Sequence, residues 1–258
     1  MDIQDNTNGV KTTELSLTIV EELKNMDQAR IEEISGALDI APSTVHRHLQ
    51  TLERNGYVVN EGSFYRLGFQ FLTMGGYARA RTGAYDLAKE SVEKLADQTQ
   101  ERVQFEVEEM GERIFIHTET GEHAVEADGT IGRRGPLHCS SAGKAILASL
   151  PKDRVVEIIE SRGLNSVTEN TITDREELFD ELEQIRDEGV AFSYEESTPG
   201  LRAVGASVKL PNGQVLGGIS VSGPAHRMQG NVFHEEIPGK VRGIAQELEL
   251  NIKYAKNV

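Results

Sequence analysis

The sequence predicts an α+β chain in two unequal parts: short helices and a hairpin first, then an antiparallel sheet flanked by helices. Three observations carry this. Apolar residues recur at helical spacing as far as Leu52. A turn segment, Asn60-Glu61-Gly62-Ser63, separates two short runs of strand formers. Beyond residue 84, strands of period-two alternation are interspersed with helical stretches, which a layered sheet needs in order to bury its faces.

The elements follow in order. Leu15, Ile19, Val20 and Leu23 predict a first helix, and Ile31, Ile34 and Leu38 a second. Asp39 supplies a turn residue that tolerates a left-handed backbone. Pro42 sets φ in the first turn of a third helix burying Val45, Leu49 and Leu52, and Gly56 ends it. Tyr57-Val58-Val59 and Phe64-Tyr65-Arg66-Leu67 flank the turn as a hairpin. Three helices and a hairpin make a winged helix-turn-helix over residues 1–67. Residues 68–83 read as a linker helix interrupted near Gly75-Gly76, and residues 84–258 as a second domain.

In that domain a helix runs through Leu87, Val92 and Leu95. Val103, Phe105 and Val107 alternate with polar residues, and a hairpin turning at Gly111-Glu112 leads to Ile114 and Ile116. Helical blocks cover residues 141–161 and 174–188, strands 190–195 and 203–210. Pro211-Asn212-Gly213 is a hairpin turn into a strand over 214–222. A last helix covers about 233–248.

Composition bounds the function. The chain has 258 residues, room for two modest domains. It shows no secretory leader and no apolar run of about 18 residues that could cross a membrane. Cys139 is the one cysteine, which excludes an internal disulfide and a multi-cysteine zinc site. A cytoplasmic protein follows by elimination. The net charge of −15 opposes phosphate, but its distribution matters more. Residues 43–82 hold five Arg against two acids, whereas 17 Arg, 10 Lys and 42 acids in all leave a Lys-poor acidic surface. The plain reading of that surface is solubility, and the sharper one is adaptation to molar salt, as in halophilic archaea.

On the third helix Ser43, Arg47, Gln50 and Arg54 lie opposite the buried stripe. Arg can pair with guanine O6/N7 and Gln with adenine N6/N7, while Ser43 and Thr44 can reach phosphates. His46 flanks this face. Arg66 on the wing, with Arg79 and Arg81 in the linker, are candidate backbone contacts. His46 and His48, two residues apart, point to different sides of the helix and hold no metal.

Residues 12–254 resemble the IclR family of bacterial and archaeal transcriptional regulators. The matching stretches are Ser43-Thr44-Val45-His46-Arg47, Gln50-Thr51-Leu52, Gly56-Tyr57, Tyr65-Arg66-Leu67-Gly68, Pro136-Leu137-His138-Cys139 and Gly143-Lys144-Ala145. They continue with Asn170-Thr171-Ile172-Thr173, Glu195-Glu196, Gly200-Leu201-Arg202 and Ser220-Val221-Ser222-Gly223-Pro224. One departure is the turn, where Asp39 stands in place of the usual Gly.

The resemblance implies a C-terminal effector-binding domain similar to GAF and PAS sensors. Carried onto this chain, the cavity positions fall at Ser141, Ala142, Ser193, Ala203, Ser220 and Ser222, with Ala124, Ala127 and Gly135 at the mouth. The residues add their own argument. Ser220 and Ser222 share one face of a strand whose other face carries Val215, Ile219 and Val221. Ser140-Ser141-Ala142-Gly143 opens a helix, whose free N–H groups attract a carboxylate. Alternatively the serines are an exposed polar face, or Ser141 a cap. Cys139 reads as a small packing residue.

An enzyme is disfavoured. Gly218-Ile219-Ser220-Val221-Ser222 misses the nucleophile-elbow pattern, because position 222 is Ser rather than Gly. Glu195 and Glu196 are neighbours near a strand end and face apart. The expectation is a ligand-responsive regulator that binds operator DNA as a homodimer or homotetramer, senses a small organic acid or sugar-derived metabolite, and uses no cofactor. The alternative is an architectural DNA-binding protein without an effector, and a fully packed second domain favours that alternative.

Overall fold

The structure is a computed structural model that describes residues 9–125 and 130–255. The chain divides into two compact units between Arg81 and Thr82.

The first unit holds α1 (Lys11–Met26), β1 (Gln28–Ala29), α2 (Ile31–Leu38), α3 (Pro42–Arg54), β2 (Val58–Glu61), β3 (Phe64–Leu67) and α4 (Gln70–Arg79). α2 starts where the Arg30 N–H donates to the Glu33 carboxylate at 2.7 Å. It stops at Asp39, which takes φ 52° and ψ 45°, so the short Asp side chain fills the left-handed turn position. Ile19, Leu23, Ile34, Val45, Leu49 and Tyr65 close the core. The wing is a three-stranded sheet of order β1-β3-β2. β1 was not predicted, because its two residues are too few to show alternation. α4 runs through Gly75-Gly76 without the predicted interruption, and the Ala80 N–H reaches the Gly76 carbonyl at 2.9 Å. Each glycine costs a helix about 1 kcal/mol against Ala but removes no backbone donor.

The second unit begins with α5 (Ala84–Thr99), β4 (Arg102–Glu109), β5 (Glu112–Thr120) and β6 (Arg134–Pro136). α6 (Ser141–Ser149), α7 (Lys152–Arg162) and α8 (Arg175–Glu188) follow. β7 (Ala191–Tyr194), β8 (Leu201–Lys209) and β9 (Val215–Pro224) then lead to a π-helical turn at Val232–Glu236 and to α9 (Ile237–Tyr254). The sheet is antiparallel throughout, in the order β6-β5-β4-β9-β8-β7. One face, with Val103, Phe105, Val204, Ala206, Ile219 and Val221, packs under α5 and α9. The opposite face receives α6, backed by α7 and α8 around Ile146, Leu147, Leu178 and Leu182.

Three predictions are corrected. The β4–β5 hairpin turns on Met110-Gly111, both at positive φ (57° and 80°), one residue earlier than predicted. The block over 141–161 is two helices, because Leu150 precedes Pro151 and adopts extended φ −81°, ψ 155°. The final helix opens with the π turn and continues to Tyr254. β6 is a short edge strand with no sequence signal.

Candidate functional site

In the first unit α3 presents Ser43, His46, Arg47, Gln50 and Arg54 to solvent, with Thr44 half-buried beside them. Their exposure follows from the opposite stripe, where Val45 and Leu49 are fully buried. The Thr51 hydroxyl turns back to the Arg47 carbonyl at 2.9 Å, and Arg54 Nη2 reaches Thr51 Oγ1 at 3.5 Å. His48 leaves this face: its Nδ1 lies 2.7 Å from the Ser16 hydroxyl, tying α3 to α1. On the wing Arg66 Nε donates to Glu61 Oε1 at 2.8 Å. That bond holds the Glu61 carboxyl below its ordinary range and raises the Arg66 guanidinium. Arg79, in the last turn of α4, is exposed, and Arg81 follows the helix. Among the described residues no group of three His, Cys, Asp or Glu could hold a metal.

The cavity of the second unit is assembled by sheet register. Ser193, Ala203, Ser222 and Arg102 are successive cross-strand partners on β7, β8, β9 and β4. The next row is Gly205, Ser220 and Gln104. Both rows face α6, and all of their members but Gly205 line, together with Ser140 and Ser141, a cavity of about 90 Å³. Five of the six positions carried over by resemblance thus meet in one place. The sixth, Ala142, does not line the cavity. It is wedged onto the sheet, where a Cβ on Gly205 would sit 2.6 Å from its nitrogen and one on Gly218 2.8 Å from its oxygen. The two glycines let the first turn of α6 land on the strands.

Ser140 is the helix cap, accepting the Gly143 N–H at 3.0 Å and donating to Glu106 Oε2 at 3.2 Å. Ser141 is therefore not the cap, and its buried hydroxyl has no partner among the described residues. Ser193 donates to the Cys139 carbonyl at 3.4 Å. Burial pushes the Cys139 thiol up to about 11, so it is no nucleophile at neutral pH. Ser220 sits in the middle of β9, not at a strand-to-helix turn. Glu195 accepts the Gly200 N–H at 2.8 Å, while Glu196 turns to Lys144 at 2.9 Å, so the two carboxylates serve different partners.

Sequence reasoning missed the charged wall. Arg102, Glu106, Arg113 and Arg133 also line the cavity. Arg113 Nη1 lies 3.1 Å from Glu106 Oε1, and its guanidinium is 4.9 Å from the Phe115 ring centroid. Arg102 Nη2 donates to the Val125 carbonyl at 3.1 Å. A signal existed: Arg102, Gln104 and Glu106 alternate with Val103, Phe105 and Val107. It reads as a solvated face until β4 is known to be central. Of the mouth positions, Gly135 packs against Arg113 and Ala124 precedes Val125, and neither lines the cavity. Ala127 lies outside the described residues.

A larger groove of about 950 Å³ lies between the C-terminal ends of α6 and α8 and the β8–β9 turn. Several of its polar groups are already engaged, Ser149 with Ser207 at 2.8 Å, Arg186 with the Ala148 carbonyl at 2.7 Å and Asn212 with Gln214 at 2.9 Å. It has no converging polar set to hold a ligand.

A winged helix-turn-helix and a sheet domain with a polar cavity define a DNA-binding regulator with an effector-binding domain. Residues 80–250 match the bacterial transcriptional regulator IclR C-terminal family, and residues 16–62 the IclR helix-turn-helix domain. A probable HTH-type transcriptional regulator ArcR from Halobacterium salinarum is 31% identical over 244 residues, 93% of each chain. The Thermotoga maritima IclR crystal structure superposes with a TM-score of 0.80 at 26% identity, covering 95% of this chain and 99% of that one. An IclR homolog from Microbacterium hydrocarbonoxydans, complexed with 4-hydroxybenzoate, shares the fold at a TM-score of 0.77 and 21% identity, covering 92% and 98%. The chain belongs to the IclR family of transcriptional regulators. Among the described residues no helix is long and apolar enough to cross a membrane.

Proposed function

We propose that α3 reads operator DNA through Ser43, Arg47 and Gln50, flanked by Thr44, His46 and Arg54, with Arg66 on the phosphate backbone. The second domain takes a small organic acid or sugar-derived metabolite at Ser141, Ser193, Ala203, Ser220 and Ser222, and Ala142 seats the helix above them. The observation that carries the effector reading is the unpartnered, buried hydroxyl of Ser141, a residue at the start of α6 that lines a cavity walled by serines and arginines. A buried polar group without a partner is costly, and a carboxylate at a helix N-terminus satisfies it. The homolog that holds 4-hydroxybenzoate has the same fold, which fits this class of ligand.

The chain acts in the cytoplasm as a homodimer or homotetramer on an inverted repeat, and performs no catalysis. The exposed apolar side chains of α4 and its N-cap, Phe69, Leu72, Met74 and Tyr77, support self-association, with a second copy as the partner that covers them. Effector binding biases two arrangements of the reading helices, which requires different affinity for each.

The test starts from a thermal-shift panel of small organic acids and sugar acids. Ser220→Ala with Ser222→Ala keeps the fold and operator binding and abolishes the shift given by the best acid. Undiminished affinity of that acid in calorimetry on the double variant refutes the cavity.

A further inference from the structure

Three motifs of the sequence take no part in the DNA-reading face and line no part of the cavity: Gly143-Lys144-Ala145, Asn170-Thr171-Ile172-Thr173 and Glu195-Glu196. In the fold they meet. Lys144, on the first turns of α6, is fully buried. Its Nζ lies 2.8 Å from Glu181 Oε1 on α8 and 2.9 Å from Glu196 Oε1. The same Glu196 oxygen accepts the Tyr194 N–H at 3.1 Å. The Thr171 hydroxyl donates to the Glu196 carbonyl at 2.7 Å, and the Thr168 hydroxyl to the Glu195 carbonyl at 2.8 Å. Glu195 stands at φ 66°, a conformation rare outside glycine, and its carboxylate accepts the Gly200 N–H. Residues 195–200 are thus pinned at both ends. Between the pins, Ser197 and Thr198 line the cavity.

Desolvating an ammonium and the Glu196 carboxylate, with Glu181 still partly exposed, can cost more than their attraction returns, and apolar residues of similar volume often serve stability as well. One oxygen of the trio, Glu196 Oε2, is buried with no partner among the described residues. Burial pushes the Glu196 carboxyl above its ordinary range, opposed by Lys144. The arrangement is poor as a stabiliser and good as a locator, because each charge has one place where it is compensated.

We propose that Lys144 and Glu196 are positioning residues for effector recognition. Their buried pair, with Glu181 as second acceptor, fixes residues 195–200 as a wall of the cavity and ties that wall to the helix whose N-terminus opens onto the same cavity. The inference rests on the effector reading of that cavity.

Two local reporters test it without a ligand, in the full chain. One is native-state hydrogen exchange at the amides of Tyr194 and Gly200. The other is the labelling rate of Cys139, the sole cysteine, buried and within electrostatic reach of Glu196. Lys144→Met keeps the aliphatic stem and removes the charge; it speeds both reporters about tenfold or more while α9 amides are unchanged. Glu196→Gln keeps an acceptor for Nζ and for the Tyr194 N–H, and stays within about threefold of the parent. Should Lys144→Met fail to fold, Glu196→Ala removes the acceptor alone and gives the same local acceleration. Val241→Ala, in the α9 core, marks plain destabilisation. If Lys144→Met and Glu196→Ala speed α9 as much as the wall, as Val241→Ala does, or speed neither, the positioning role is overturned. Because these readouts need no ligand, they decide the wall separately from the Ser220 and Ser222 test of the cavity.

Discussion

Gly205→Ala asks whether α6 must lie directly on the sheet for the cavity to exist. A Cβ at Gly205 would lie 2.6 Å from Ala142 N, 2.7 Å from Ser141 C and 3.0 Å from Ala142 Cα. All three are backbone atoms, so no side-chain rotation relieves the contact. Ordinary contact begins near 3.4 Å, so the first turn of α6 must retreat by about 0.8 Å. That helix is buried along eight of its nine residues and packs against α8 as well as the strands. Overpacking of this kind costs about 2 kcal/mol, which in a domain of this size lowers the melting temperature by roughly 4–8 °C. The retreat also carries Ser140 and Ser141 away from Ser220, so effector affinity falls while operator affinity holds. Differential scanning fluorimetry with and without the best acid of the panel reads both effects. Gly239→Ala, on α9 with no atom within 4 Å of the new Cβ, is the matched control and leaves melting unchanged or slightly raised. A Gly205→Ala chain that melts with the parent and keeps its effector affinity refutes the seating argument.

Two further outcomes follow from the same structure. Arg47→Ala costs about 1–3 kcal/mol at a specific site if Arg47 pairs with guanine, whereas Arg66→Ala, already engaged by Glu61, weakens all sequences more evenly; unchanged operator affinity of Arg47→Ala in a footprinting titration removes the reading-face assignment. The −15 charge and 42 acids predict that melting temperature rises steeply from dilute buffer to molar KCl. At about 1 M the Debye length is about 3 Å and acid–acid repulsion is screened; a flat or falling curve removes the high-salt reading.

The sequence by itself determined the local elements. The stripe Val45-Leu49-Leu52 both predicts α3 and assigns Arg47 and Gln50 to the opposite side, because helical period alone relates them. Asp39 announced its turn for the same local reason, being short enough to fill a left-handed position. Pairs two apart on one strand, such as Ser220 and Ser222, share a face by the pleat alone. The break between α6 and α7 at Leu150-Pro151 has an equally local cause, since a residue before proline avoids the helical region, but the helical spacing on either side of it predicted a single block.

Tertiary structure decided what lies across from what. That β4 is a central strand, and hence that Arg102, Gln104 and Glu106 are buried cavity groups rather than a wet face, depends on its pairing with β9 more than 100 residues away. No periodicity encodes that pairing. Glu196 shows the same limit from the other side. Beside Glu195 it reads as one of two acidic neighbours at a strand end. Its compensating cation, Lys144, lies 52 positions earlier and is brought within 2.9 Å only when α6 docks on Gly205 and Gly218. Side-chain direction is a property of the local backbone; the dielectric and the partners around that side chain are properties of the packed fold.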